Sequence, residues 1–272
     1  AIFSKQVDWT VEIKGLESGA VKRISDFSSE LSSANARWNG TTTEVPLFRA
    51  EECAVELRVP SDSLIVYDTL TVESVRQING LVVADFESGF LPGWTLFAQS
   101  GADMSFFIDD EITAAQGNNY YDMGGLVDFD YLIGYLDFPA TVYGGPTYAL
   151  SPDPAAVYFN VMLYLPAGIS NEIVLFQFME DDNENGAYSG SSEDMFSLEL
   201  TGLDVGWQLV SIRYADLPTL INGVPSAAIG NGLYEPHKLN NIRVLFLANP
   251  ASGYSQTLMD YLIFTTGGPL NP

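Results

Sequence analysis

The sequence predicts an all-β chain made of two sandwiches: a small antiparallel one over residues 1–80 and a jelly-roll β-sandwich over 81–272. Three observations carry this. Apolar residues recur with a period of two, the pattern of strands that bury one face. Gly, Pro, Asn and Asp fill the gaps between those runs, where turns need them. No stretch repeats its apolar residues every 3.6 positions as an amphipathic helix would; ADLPTLINGV (215–224) has room for one short helical turn.

The alternation opens with VDWTVEIKG (7–15) and returns in CAVELRV (53–59) and TLTVESV (69–75), separated by turn-rich sequence such as SSELSSANARWNGTTTEVP. RQING (76–80) carries an Asn-Gly turn signal and places a boundary at 80. LVVADFESGFLPGW (81–94) begins a second pattern. Strand-like runs then follow at MSFFI (104–108), YLIGYLDF (131–138), AVYFNVMLYL (156–165), EIVLFQFME (172–180), MFSLELTGL (195–203), WQLVSIRY (207–214), NIRVLFLA (241–248) and MDYLIFTT (259–266). Eight or nine strands without a helix are the makings of a jelly roll.

Composition narrows the function. With 35 acidic residues against 11 basic ones the net charge is -24. No Lys/Arg cluster is available to neutralise phosphates, which excludes nucleic acid as a partner, and anionic headgroups are excluded for the same reason. No apolar run approaches the ~20 residues of a transmembrane helix. The start, AIFSKQVDW, lacks the layout of a signal peptide, although a chain whose leader or lipid anchor lay upstream would begin the same way. The lone Cys53 sits in an alternating run and reads as a small buried hydrophobe, so neither a disulfide framework nor a cysteine-rich zinc site is available.

The segment MEDDNENGAYSGSSED (179–194) spaces Asp181, Asn183 and Asn185 two apart and follows them with Gly186, like the start of an EF-hand loop. Counting from Asp181, however, the twelfth position is Ser192, where that motif needs a bidentate Glu, and the flanks read as strands rather than helices. The segment therefore reads as a solvated acidic loop joining two strands, longer than hairpins usually need, with a calcium loop of another type as the alternative.

Four motifs, in order, carry a resemblance: ADFESGFLPGW; GNNYYDMGG (117–125); the block from QFMEDDNENG through LTGLDVGWQLVSIRYADL; and LMDYLIF near the end. Over most of 81–266 the chain resembles the galactose-binding-like jelly rolls of carbohydrate-binding modules. It is most similar to the glycan-binding domains of Bacteroidetes surface proteins, and residues 1–80 resemble the immunoglobulin-like spacers that precede them. The resemblance implies non-catalytic binding of a neutral polysaccharide or oligosaccharide by an exported lipoprotein at the outer-membrane surface or in the periplasm. There it would serve glycan utilisation beside a transporter or hydrolase. It also implies one structural calcium tying the first strand to the last, held by Asp85 or Glu87, a carbonyl or side chain within 117–119 such as Asn119, and Asp260.

Sugars offer apolar C–H faces and polar edges, so a binding site wants exposed aromatic planes beside amides and carboxylates. Loop tyrosines flanked by Gly and Pro supply the planes: Tyr143, Tyr148 and Tyr188 are the first choices, with Tyr120 and Tyr121 after them. Trp94 and Trp207 read as core anchors. Catalysis is not expected. The clustered acids lie in loops, no Gly-x-Ser-x-Gly elbow occurs, and His237 is the only histidine. The alternatives are a structural or adhesive surface protein that binds another protein, and a divergent glycoside hydrolase.

Overall fold

The computed structural model describes residues 1–101, 103–126, 131–169, 173–190, 192–221, 224–225, 227, 229–248 and 253–272. Its strands are antiparallel, and helical structure among the described residues is confined to 3₁₀ segments of three or four residues. The chain forms two compact units: Ala1–Ile78 with Asp110–Asn118 and Asn271–Pro272, and Asn79–Asp109 with Asn119–Leu270. A single cut in the sequence at 80 misses the two short returns to the first unit. Backbone pairing explains them, because Leu47 N–H donates to Ala115 O at 2.8 Å and Thr42 N–H to Pro272 O at 2.9 Å.

The first unit is one sheet, ordered β2-β1-β3-β4, from β1 (Ile2–Gly15), β2 (Val21–Glu30), β3 (Glu52–Val59) and β4 (Leu64–Thr71). The expected sandwich is replaced by this single layer. Val7, Trp9 and Ile13 alternate onto one face of β1, and Trp38 and Phe48, from the connection between β2 and β3, pack in the same unit's core with Cys53. β2 lacks a marked apolar alternation because it buries no residue fully. β4 lies at the sheet edge, and the run Leu64–Tyr67 is exposed along it.

The second unit is a jelly-roll β-sandwich. One sheet is ordered β13-β10-β17-β8-β7, with β5 beside β17. Its strands are β5 (Leu81–Ala84), β7 (Asp103–Asp109), β8 (Tyr120–Leu126), β10 (Val157–Leu165), β13 (Gly206–Arg213) and β17 (Tyr254–Thr266). The other sheet is ordered β12-β11-β16-β9-β6, from β6 (Thr95–Ala98), β9 (Tyr131–Pro139), β11 (Ile173–Glu180), β12 (Met195–Leu200) and β16 (Leu239–Ala248). The short helical turn expected in 215–224 forms at its start, as the 3₁₀ segment Tyr214–Asp216, and β14 (Leu220–Ile221) pairs with β15 (Val224–Pro225) after it.

The alternation in the sequence is what fills the space between the two sheets. Phe159, Val161 and Leu163 of β10 meet Phe176 and Phe178 of β11, with Phe159 ring centroids 5.1 and 4.9 Å from those two. Each fully buried side chain of this size contributes roughly 1.5–3 kcal/mol. Buried polar residues interrupt the pattern, Asn160 among them. Asn160 is wholly buried on β10 and donates to Tyr158 O, Ile263 O and Thr265 Oγ1, while its Oδ1 accepts from Ser211 Oγ and Leu270 N–H.

Candidate functional site

The five-stranded sheet sends the even residues of β11 into the core and its odd residues outward. On that outward face, antiparallel register sets Asp137 of β9 opposite both Arg243 of β16 and Thr95 of β6. The pair forms a fork: Arg243 Nε donates to Asp137 Oδ1 at 2.6 Å and Nη2 to Oδ2 at 2.9 Å. The carboxylate, through these bonds, holds the guanidinium above its ordinary basicity, so it stays charged. Arg243 also lies 4.0 Å over the Tyr135 ring, which stacks on Phe97 at 5.1 Å. Asn241 Nδ2 donates to Asp137 Oδ1 at 3.2 Å, while Asn241 Oδ1 is left without a partner.

These side chains floor an open groove of about 410 Å³, with Thr141, Asn240 and Tyr188 among its walls. Tyr188 comes from the connection between β11 and β12, which pair as a hairpin as the sequence predicts. That connection is solvated over 183–187, as expected, but its ends are not. Asp181, Glu193 and Asp194 are at most 1% exposed. Asp181 accepts the N–H groups of Asn185 (3.0 Å) and Gly186 (2.7 Å), and Glu193 those of Asn183 (3.3 Å) and Ser189. Buried carboxylates that collect loop N–H groups on both sides of Tyr188 fix its position. Its phenol is half-buried, and desolvation together with the Glu193 and Asp194 carboxylates pushes its acidity down, so it remains a neutral donor.

The other predicted platforms are corrected. Tyr120, Tyr121 and Tyr148 are 1%, 0% and 2% exposed and have no face to offer a ligand. Tyr148 O–H donates to Phe138 O at 2.6 Å, and Tyr121 stacks on Phe86. Tyr143 is tied to Val83 O and Trp94 Nε1, and burial pushes its phenol up to about 12. It lines a separate recess of about 300 Å³ with Asp85 and Ser88. Trp94 packs edge-on against Phe138 in the core, and Trp207 packs against Tyr120 and Tyr164.

The predicted calcium ligands meet only in part. Asp85 Oδ1 accepts Glu87 N–H at 3.2 Å and Glu87 Oε1 accepts Asn119 N–H at 2.8 Å. Asp260 is fully buried on β17 beside a bulge at Tyr261. Among the described residues these carboxylates form no converging group of three. The group that converges is Glu180, Asp182 and Asp194, whose oxygens all lie within 4.8 Å of one another. Burial pushes the Glu180 carboxyl up to about 8.

No protein-family model matches the chain, and no curated protein matches it. Solved structures that align with it include carbohydrate-binding modules of the β-sandwich type. A family 30 carbohydrate-binding module aligns at 14% identity and a TM-score of 0.49 over 70% of this chain and 99% of that one. The family 11 module of cellulosomal cellulase Lic26A-Cel5E of Clostridium thermocellum aligns at 14% identity and 0.46, over 71% and 97%. The K1 cleaved adhesin domain of Lys-gingipain from Porphyromonas gingivalis W83 aligns at 11% and 0.39, over 70% and 100%. Likeness at this level does not transfer a ligand.

Proposed function

We propose that the protein binds a neutral polysaccharide or oligosaccharide without transforming it, in the groove on the outward face of the five-stranded sheet. The observation that carries this is the convergence there of a half-exposed aromatic plane, Tyr188, with the Asp137–Arg243 fork and the amides of Asn240 and Asn241. A pyranose has an apolar face for the phenol ring and hydroxyl edges for amides and a charged fork. The fork also speaks for binding over hydrolysis, because both Asp137 oxygens are already taken up by Arg243. The sequence motifs add an exported surface or periplasmic setting, with the first unit as a spacer and a transporter or hydrolase as neighbour.

The test is a glycan array probed with the wild-type chain and with Arg243→Ala. Binding to a neutral glycan that the variant loses supports the reading. An array blank for every glycan removes it.

A further inference from the structure

We propose that Glu180, Asp182 and Asp194 form a binding site for one hard divalent cation of calcium's type, at the root of the β11–β12 connection that carries Tyr188. The site stands apart from the glycan reading and from the calcium position suggested by Asp85 and Asp260.

Each carboxylate is already fixed from behind. Glu180 Oε1 accepts the Tyr214 hydroxyl at 2.7 Å and Glu235 N–H at 2.9 Å. Asp194 accepts Gly230 N–H at 2.9 Å and Gly232 N–H at 2.7 Å. Asp182 Oδ2 accepts Asp194 N–H at 3.0 Å. What these bonds leave is informative. Glu180 is wholly buried, yet its Oε2 has no hydrogen-bond partner. A buried carboxylate oxygen without a donor is costly and calls for a water or an ion.

Among the described residues, no side chain supplies the missing positive charge. Lys238 pairs with Glu235 at 3.1 Å and Glu184 at 3.8 Å, and reaches Asp182 only through its carbonyl. The chain also passes close to the cluster. A Cβ on Gly230 would lie 2.0 Å from Asp182 Oδ2 and 2.9 Å from Asp194 Cγ, so this position has no room for a side chain.

The donor set is all oxygen, which selects a hard cation over zinc or copper. Calcium's bond length fits this set. Two oxygens on one ion can be no farther apart than twice the bond length, about 4.6–5.2 Å for calcium and about 4.1 Å for magnesium. Oxygens that all lie within 4.8 Å of one another fall inside the calcium limit.

The experiment uses the full chain stripped with EDTA, titrated with CaCl2 by calorimetry and with terbium by luminescence excited through tyrosine, for which Tyr214 on Glu180 is placed as the donor. We expect one calcium per chain and a rise in melting temperature of several degrees. Asp182→Asn, which keeps the side chain's shape at the less buried edge of the cluster, should weaken binding at least tenfold, whereas Asp85→Asn should bind as the wild type does. Absence of any calcium or terbium binding at millimolar concentration overturns the proposal. Unchanged affinity in Asp182→Asn overturns it too, as does loss of binding in Asp85→Asn alone, which would place the ion elsewhere. No arm uses a sugar, so the result is independent of glycan binding.

Discussion

Tyr188 and Tyr148 show how far a single residue can be read from its neighbours. Both sit in Gly-rich polar sequence, GAYSG and YGGPTY, and both look like exposed platforms. Tyr188 lines the groove, whereas Tyr148 turns inward and bonds Phe138 O. Gly and Pro permit the turn but do not say which way the ring faces afterwards. Asp137 and Arg243 escaped notice for a different reason: 106 residues separate them, and only sheet register sets them opposite each other. The available signal was one charge at an outward position in each of two otherwise apolar strands, YLIGYLDF and NIRVLFLA.

Two predictions belong at this scale. Asp137→Ala leaves a partly buried guanidinium without its partner and should cost about 1–3 kcal/mol, seen as a lower denaturation midpoint. In the first unit, Glu51 accepts the Ser18 hydroxyl and the N–H groups of Glu17, Ser18 and Arg49. Burial raises its pKa, but the Ser18 hydroxyl and those N–H donors outweigh it and leave the carboxyl below its ordinary 4.5. A depressed carboxyl stabilises the fold above its unfolded value, and that contribution disappears as pH falls through the folded one. Glu51→Gln should therefore flatten the loss of thermal stability below about pH 4.5, measured as melting temperature against pH, and lower stability at neutral pH.

At the scale of elements, most strands of the second unit were legible because they bury one face against a single large core and period two survives in the sequence; β6, which buries no residue fully, was not. β2 was not, since it buries no residue fully, and β4 was only partly so, because its apolar run Leu64–Tyr67 is exposed rather than alternating. The acidic connection was legible as a hairpin loop, but the burial of its ends was not, because carboxylates that gather backbone N–H groups look identical in sequence to solvated ones. Asn160 is a polar exception that joins β10 to β13, β17 and the segment at Leu270. Asn160→Ala strands several buried donors and acceptors, and should lower stability by roughly 1–3 kcal/mol in chemical denaturation. Asn160→Asp should not restore it, because the amide donates three of those bonds.

For the whole molecule, two cores mean two units, each of which needs residues distant in sequence. Residues 110–118 belong to the first unit although they lie between β7 and β8 of the second. A chain begun at residue 79 would leave Ala114 and Ala115, now buried, without the partner Leu47. Limited proteolysis should then cut within 110–118 in the shortened chain and spare that stretch in the full one. The net charge of -24 acts at this scale as well. It keeps polyanions away and leaves a neutral ligand unaffected, so glycan affinity should vary little with salt.

Affinity electrophoresis of the wild-type chain and Tyr188→Ala through gels cast with neutral polysaccharides tests the groove most directly. Removing a central aromatic anchor should cost about 2 kcal/mol, a tenfold or greater loss of affinity, with the melting temperature unchanged. The predicted result is retardation of the wild type by at least one polysaccharide and free migration of the variant. Equal retardation of both, or of neither, would contradict carbohydrate binding in this groove.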